Sequence, residues 1–318
     1  MAHTEQEVPT QRGTDPYEPE SPLDLERADW KATLRRTVEE IKQDRVTLTA
    51  GGLAYYWFLA IFPLLIAAVA LVTLLRLPES TVNTLKNGIE TALPGEAAEI
   101  LTSAVDSAQT QTRGGLAVVL IGVGIALWSA SSGIAGMLSG LNVAFDVAED
   151  RKFLKKRLVS FLLLGALLVL GGVAIALLIF GKPLGEWLQD LIPVGETLFV
   201  IAWTAARWIV TLIVVTTLFA LFFYLGPNRD APAWKWVSPG GIVATVLWLA
   251  ASVAFSLYIS SFGSYGETYG ALAGVVILIL WLYLTAVAIL VGGELNAELE
   301  RQSEAVTKQR HRSKLAHA

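Results

Sequence analysis

Six stretches of this chain, residues 50–75, 115–141, 158–180, 198–224, 237–262 and 270–292, hold 152 residues and a single Asp, Glu, Lys or Arg, which is Arg207. The other 166 residues carry the remaining 51 charges. Soluble folds have no need of six nearly uncharged stretches of 23 to 27 residues. Wound as a helix at about 1.5 Å per residue, each crosses a hydrocarbon layer roughly 30 Å thick with length to spare for tilt. The fold class expected is all-α: a polytopic membrane protein of six spans.

Residue types then exclude several chemistries. With no cysteine there is no disulfide framework, thiol catalysis or Cys-ligated metal. The three histidines, His3, His311 and His317, all sit near the termini, so no histidine-dependent metal centre or general base is expected inside the fold. Nothing in the pattern asks for a cofactor or a metal, and no nucleophile–base pair is visible, so no enzyme is expected. No GxxxxGK[ST] loop occurs either, which leaves nucleotide-driven transport to a separate subunit. Residues 1–23 are polar and Pro-interrupted and read as a disordered tail, with no apolar signal region before residue 50.

Basic residues are unevenly shared between the two sides of an alternating bundle. Nineteen Lys and Arg fall on the side of the termini, including Arg35, Arg36, Arg151, Arg157, Arg229 and Arg301. Four, Arg76, Lys86, Arg113 and Lys182, fall on the other. The positive-inside rule places both termini in the cytoplasm, with 24–300 as one membrane domain and 301–318 as a basic tail. Residues 24–46 read as an amphipathic helix carrying Trp30, Leu34, Val38 and Ile41. It either lies along the inner membrane face or packs on the ends of its own bundle. Between spans 1 and 2, residues 77–114 read as a small outer helical hairpin about Pro94 and Gly95.

Within the spans, Gly136 with Gly140, and Gly266, Gly270 and Gly274, are spaced for close helix approach. Gly171–Gly172, Gly240–Gly241 and Gly292–Gly293 are expected to loosen their helices, and Pro63 to kink the first span. Arg207 is the costliest residue, at about 2.5–3.5 kcal/mol for a charge at a span centre. Counted along its own span it lies roughly ten residues below the outer surface, and it shares a helical face with Thr204 and Thr211. Two readings stay open: Arg207 faces a cavity and meets an anionic group or Glu267, or it snorkels to the headgroups.

Strings at the span ends resemble a bacterial family. They are Ala54-Tyr55-Tyr56 with Phe62-Pro63; Trp128-Ser129 followed by Leu141-Asn142-Val143-Ala144-Phe145, Arg151, Phe153 and Arg157; Tyr224-Leu225-Gly226-Pro227-Asn228; Pro239-Gly240-Gly241 with Trp248; and Tyr269-Gly270, Leu280-Trp281-Leu282-Tyr283 and Gly292-Gly293-Glu294-Leu295-Asn296-Ala297-Glu298. In their order and spacing they resemble the YihY/BrkB family over roughly residues 30 to 300. The resemblance implies a six-helix protein of the bacterial inner membrane and no established activity. The family's former label, ribonuclease BN, finds no support in a span region without histidine or carboxylate, so no nucleic-acid partner is expected.

Most of the matching polar residues, Tyr55, Tyr56, Asn142, Pro227, Asn228, Glu294 and Asn296, fall at the cytoplasmic ends of spans. They form either a clasp tying helix ends together or a vestibule in which Glu294 binds a cation, a proton or a polar headgroup. Arg151 or Arg157 could reach Glu294, and Trp128, Ser129, Ser131 and Ser132 could extend a polar path. The function expected is transport, or handling of a lipid or amphiphile, with the bilayer as partner and an anionic lipid or amphiphile suiting Arg207. The alternative is a non-transporting scaffold recruiting envelope or cytoplasmic partners. The substrate and the oligomeric state, a homo-oligomer included, are open.

Overall fold

A computed structural model of the chain describes residues 19, 21–74, 80, 82–84, 86–87, 102–103, 105–106, 116–191, 196–229, 234–261 and 271–317. Seven helices are described: α1 (Arg27–Gln43), α2 (Val46–Leu74), α3 (Leu116–Ala144), α4 (Phe153–Leu191), α5 (Glu196–Leu225), α6 (Trp234–Ser261) and α7 (Ala271–His317). The last six are long and apolar enough to cross a membrane. Each packs on its neighbour in the chain, and α7 returns to pack on α2, so the six spans close into a ring. We call the end where α1 packs the basal end. Sharp turns there use left-handed backbone at two non-glycine residues, Arg45 after α1 and Asp146 after α3, each with φ of 49°.

Helix α1 starts on a reciprocal cap in which the Glu26 backbone N–H donates to Asp29 Oδ2 at 3.1 Å. It packs inward with only the two ends of the stripe its periodicity singles out, Trp30 and Ile41. Thr33 and Thr37 are buried, whereas Leu34 and Val38 are about half exposed. The polar face docks because Arg36 donates to Glu298 and Gln302, and Gln302 donates to Asp29. Leu34 and Val38 are thereby left facing away from the bundle. Trp30 packs inward near Trp236, Leu295 and Leu299, and its Nε1 donates to the Pro22 carbonyl at 3.2 Å.

The buried side chains gather at the basal end, where Leu53, Met137, Leu138, Leu141, Leu163, Phe222, Phe223 and Leu290 fill the centre of the ring. Toward the far end, among the described residues, α5 makes contact along a stripe. From 197 to 210 on α5, only Phe199, Trp203 and Arg207 are not exposed, four residues apart on one face. They meet α4, where Gly181 lies against the Arg207 stem and Gly185 against the Trp203 ring. That small-residue pair is a close-approach device.

Two helices are far longer than a bilayer needs. At 39 and 47 residues, α4 and α7 extend about 58 and 70 Å. The basic tail at 301–317 is therefore the continuation of α7. Most of the hairpin expected at 77–114 lies outside the described residues; 82–84, 86–87, 102–103 and 105–106 are helical, and Lys86 pairs with Asp106. Glu267, Gly266 and Gly270 also lie outside them, as does the side-chain environment of Gly274. Pro63 sits inside a continuous α2.

Two of the three glycine pairs expected to loosen helices, Gly240–Gly241 and Gly292–Gly293, instead join them. A Cβ on Gly240 would lie 2.2 Å from the Gly292 carbonyl oxygen, and one on Gly292 would lie 2.6 Å from that of Gly240. Both obstacles are backbone, so α6 and α7 must separate to admit a methyl group. Gly136 and Gly140 bring α3 onto Leu53 and Thr49 of α2 in the manner their spacing suggests. Gly292→Ala is therefore expected to destabilise the purified protein by about 1–3 kcal/mol, lowering its thermal-unfolding midpoint in detergent. Gly172→Ala, with open space at its Cβ position, should leave that midpoint in place.

Candidate functional site: a basal polar clasp and two unpaired arginines

From Gly292 to Glu300 every residue of α7 is buried, including Glu294, Asn296, Glu298 and Glu300. A helix buried all round must satisfy its polar groups from neighbouring elements. Asn296 bridges to α6, accepting from the Gly240 N–H at 2.8 Å and donating to the Val237 carbonyl at 3.0 Å. Glu298 accepts from Arg36 of α1 and from Arg301, each at 2.5 Å. Arg301 also meets Glu40 and Asp146. Glu300 pairs with Arg229, whose guanidinium stacks 4.3 Å from the centre of the Phe145 ring. Glu294 is left with Oε1 unpartnered, its carboxyl in hydrogen-bonding reach of Asp44.

A second knot ties α3, α4 and α5. Asn142 donates to Glu149 at 2.9 Å and accepts from the Asn228 N–H at 2.8 Å. The Asn228 amide reaches the Ala148 carbonyl and Asp150. Arg151 forks onto both Glu149 oxygens at 2.7 and 2.8 Å, and donates to the Gly226 carbonyl at 3.0 Å. Arg151 and Lys156 together hold the Glu149 carboxyl down at about 2, against an ordinary value of 4.5.

Neither Arg151 nor Arg157 pairs with Glu294, contrary to the sequence expectation; a carboxylate two residues away takes the first. Arg157 is 9% exposed, lies 3.6 Å over the centre of the Trp128 ring and donates to Ser132 at 3.1 Å. It makes no ion pair among the described residues, and its Nε has no acceptor. Tyr55 and Tyr56 on α2 are more than half exposed. Ser131 and Ser132 both donate to the Trp128 carbonyl, while Ser129 is partly buried beside them.

Arg207 likewise makes no ion pair among the described residues, and its Nε is buried without an acceptor. Thr211 spends its hydroxyl on the Arg207 carbonyl at 2.8 Å, and Thr204 is exposed, so the three do not form a shared polar surface. The contact with α4 gives a second measure of the level of Arg207. It packs on Gly181, three residues past the apolar stretch Phe153–Leu178 and next to exposed Lys182. Helix α4 runs on ten residues beyond this level, while on α5 Arg207 lies ten residues inside the apolar stretch Thr197–Leu225. Arg157 lies 24 residues back along α4, roughly 36 Å away and at the basal rim.

Six apolar helices in a ring, clasped by charges at one end, define a polytopic α-helical membrane protein. The chain belongs to the virulence factor BrkB family, whose model matches residues 37–316. It is 35% identical to the ribonuclease-like protein YfkH of Bacillus subtilis over 80% of this chain and 90% of that one. It is also 28% identical to a UPF0761 membrane protein of Idiomarina loihiensis over 87% and 96% of the two chains. A UPF0761 membrane protein of Aeromonas salmonicida is 27% identical over 84% and 89%. No solved structure matches the chain.

The lowered Glu149 value makes the knot acid-sensitive. A carboxylate held below its ordinary range contributes stability that is full above about 4.5 and is lost as pH falls through about 2. Hydrogen exchange of residues 142–152 should quicken across that window in the native chain. In Glu149→Gln it should already be fast at neutral pH.

Proposed function

We propose that this protein moves or handles anionic amphiphiles in the bacterial inner membrane, with the basal end and both termini on the cytoplasmic side. The reading rests on one observation: Arg157 and the Gly181 contact of Arg207 are 24 residues apart along α4, roughly 36 Å and close to a bilayer's thickness, and neither arginine meets a carboxylate among the described residues. A guanidinium withdrawn from water needs an anion, and at those two levels a bilayer supplies phosphate headgroups. Between them α4 exposes Leu162, Val169, Ile175 and Phe180, a surface suited to acyl chains. Trp128, Ser129 and Ser132 border the basal arginine, and Trp203 and Trp208 flank the far one.

The reading assigns the protein no catalytic step. The ribonuclease-like description belongs to YfkH. Among the described residues no group of three or more His, Asp or Glu could hold a metal ion that would activate water for phosphodiester cleavage. Basic residues at the basal end serve orientation and the clasp.

Proteoliposomes carrying headgroup-labelled phospholipids test the reading. Wild type is expected to transfer anionic lipids between leaflets faster than zwitterionic ones. Arg157→Ala or Arg207→Ala should slow transfer about tenfold or more, matching the loss of a charge-assisted hydrogen bond of roughly 1.5–3 kcal/mol. A folded wild type that transfers no lipid defeats the proposal. Partners cross-linked at the basal end would then favour a scaffold.

A further inference from the structure

The clasp leaves one buried group unpaired. Glu294 is 1% exposed, and its Oε1 finds no donor. The charged groups that reach it are all acids, while Lys235 of α6 and Arg45 beside Asp44 are exposed to solvent. Asp44, from the turn between α1 and α2, brings its carboxyl into hydrogen-bonding reach, and Glu40 of α1 and Glu298 of α7 stand close behind. Helix α2 carries no charged residue, and Asp146 after α3 adds a further acid already on Arg301. The two nearby cations, Arg36 and Arg301, both donate to Glu298.

Two carboxyl groups in contact cannot both be ionised at a buried site, and together they hold one proton. We infer that Glu294 and Asp44 form a proton-binding site, in which the shared proton latches the α1–α2 turn onto α7 and its loss releases that turn. The proton reaches the site from water through Asp44, which is half-buried where Glu294 is enclosed. Burial, and then the charge of Glu40, push the Asp44 carboxyl above its ordinary range. A raised carboxyl contributes stability that is full below the ordinary value and is lost as pH rises through the raised one. The latch is therefore tight in acid and loosens on the alkaline side, the reverse of the Glu149 knot. A proton fits better than a metal ion, because no group of three or more ligating side chains is present among the described residues. The site is on α7, apart from the arginines of α4 and α5, and does not depend on lipid handling.

Infrared difference spectra of the full chain in nanodiscs, titrated from acid to alkaline pH in choline buffer, read the proton directly. A protonated-carboxyl band should persist through neutral pH, be lost in Glu294→Gln, and titrate at lower pH in Asp44→Asn, where the opposing charge is removed. The chain has no cysteine, so spin labels at Lys42→Cys and Lys308→Cys can follow the turn without background. Their separation should widen as the band disappears and stay constant in Glu294→Gln. Absence of the band at neutral pH overturns the site. Its displacement by sodium at constant pH makes this a sodium site and overturns the proton assignment, and a separation that ignores the titration overturns the latch.

Discussion

The basal end depends on a helix buried on every side. Between Gly292 and Glu300, α7 has no solvent face on which to place its polar residues, and three of the nine are glutamates. A carboxylate enclosed in this way costs several kcal/mol unless charge or hydrogen bonds return it. Each polar residue therefore requires a partner, and each partner arrives from a different element. Asn296 takes α6 by its backbone, Glu298 takes α1, Glu300 takes the turn after α5, and Glu294 takes the turn before α2. One stretch of under three helical turns thus fixes the angular order of most of the ring.

Close approach is what makes this partnership feasible. Gly240 and Gly292 bring the α6 and α7 backbones into contact, which sets the Asn296 amide at bonding distance from two backbone groups of α6. Hydrogen bonds of that kind, buried and complete, are directional where apolar contact in lipid is not. At the far end no such network is described, and α4 and α5 meet along a line of Phe199, Trp203 and Arg207.

Much of the architecture was legible because lipid imposes it. Charge exclusion alone located the six spans, and a run such as residues 198–224 has few alternatives. What sequence could not show was which faces meet. In α1 the period of Trp30, Leu34, Val38 and Ile41 was plain, yet Thr33 and Thr37 are the buried residues. The deciding contact is Arg36 with Glu298, whose partners are 262 positions apart. That Arg207 packs against Gly181 of α4 is likewise visible only in the fold. The spacing of Gly181 and Gly185 did carry a signal. So did Glu294 with Glu298, four apart, although nothing in the chain announced Asp44 as the facing acid.

The two classes of unsatisfied charge divide the molecule by chemistry. Arg157 and Arg207 lie on the α4–α5 hairpin without a carboxylate partner among the described residues, and each is half or more withdrawn from water. Glu294 lies where the protein is most enclosed, against another acid and away from lipid headgroups. A headgroup can complete the first pair of sites but cannot enter the second; a proton can complete the second and does nothing for a guanidinium. Both sites abut helices that share the basal knot, since Arg157 follows the Glu149–Arg151 turn on α4, and Gly226 at the end of α5 accepts from Arg151. Through α5, Arg229 joins that knot to Glu300, one and a half turns beyond Glu294 on α7.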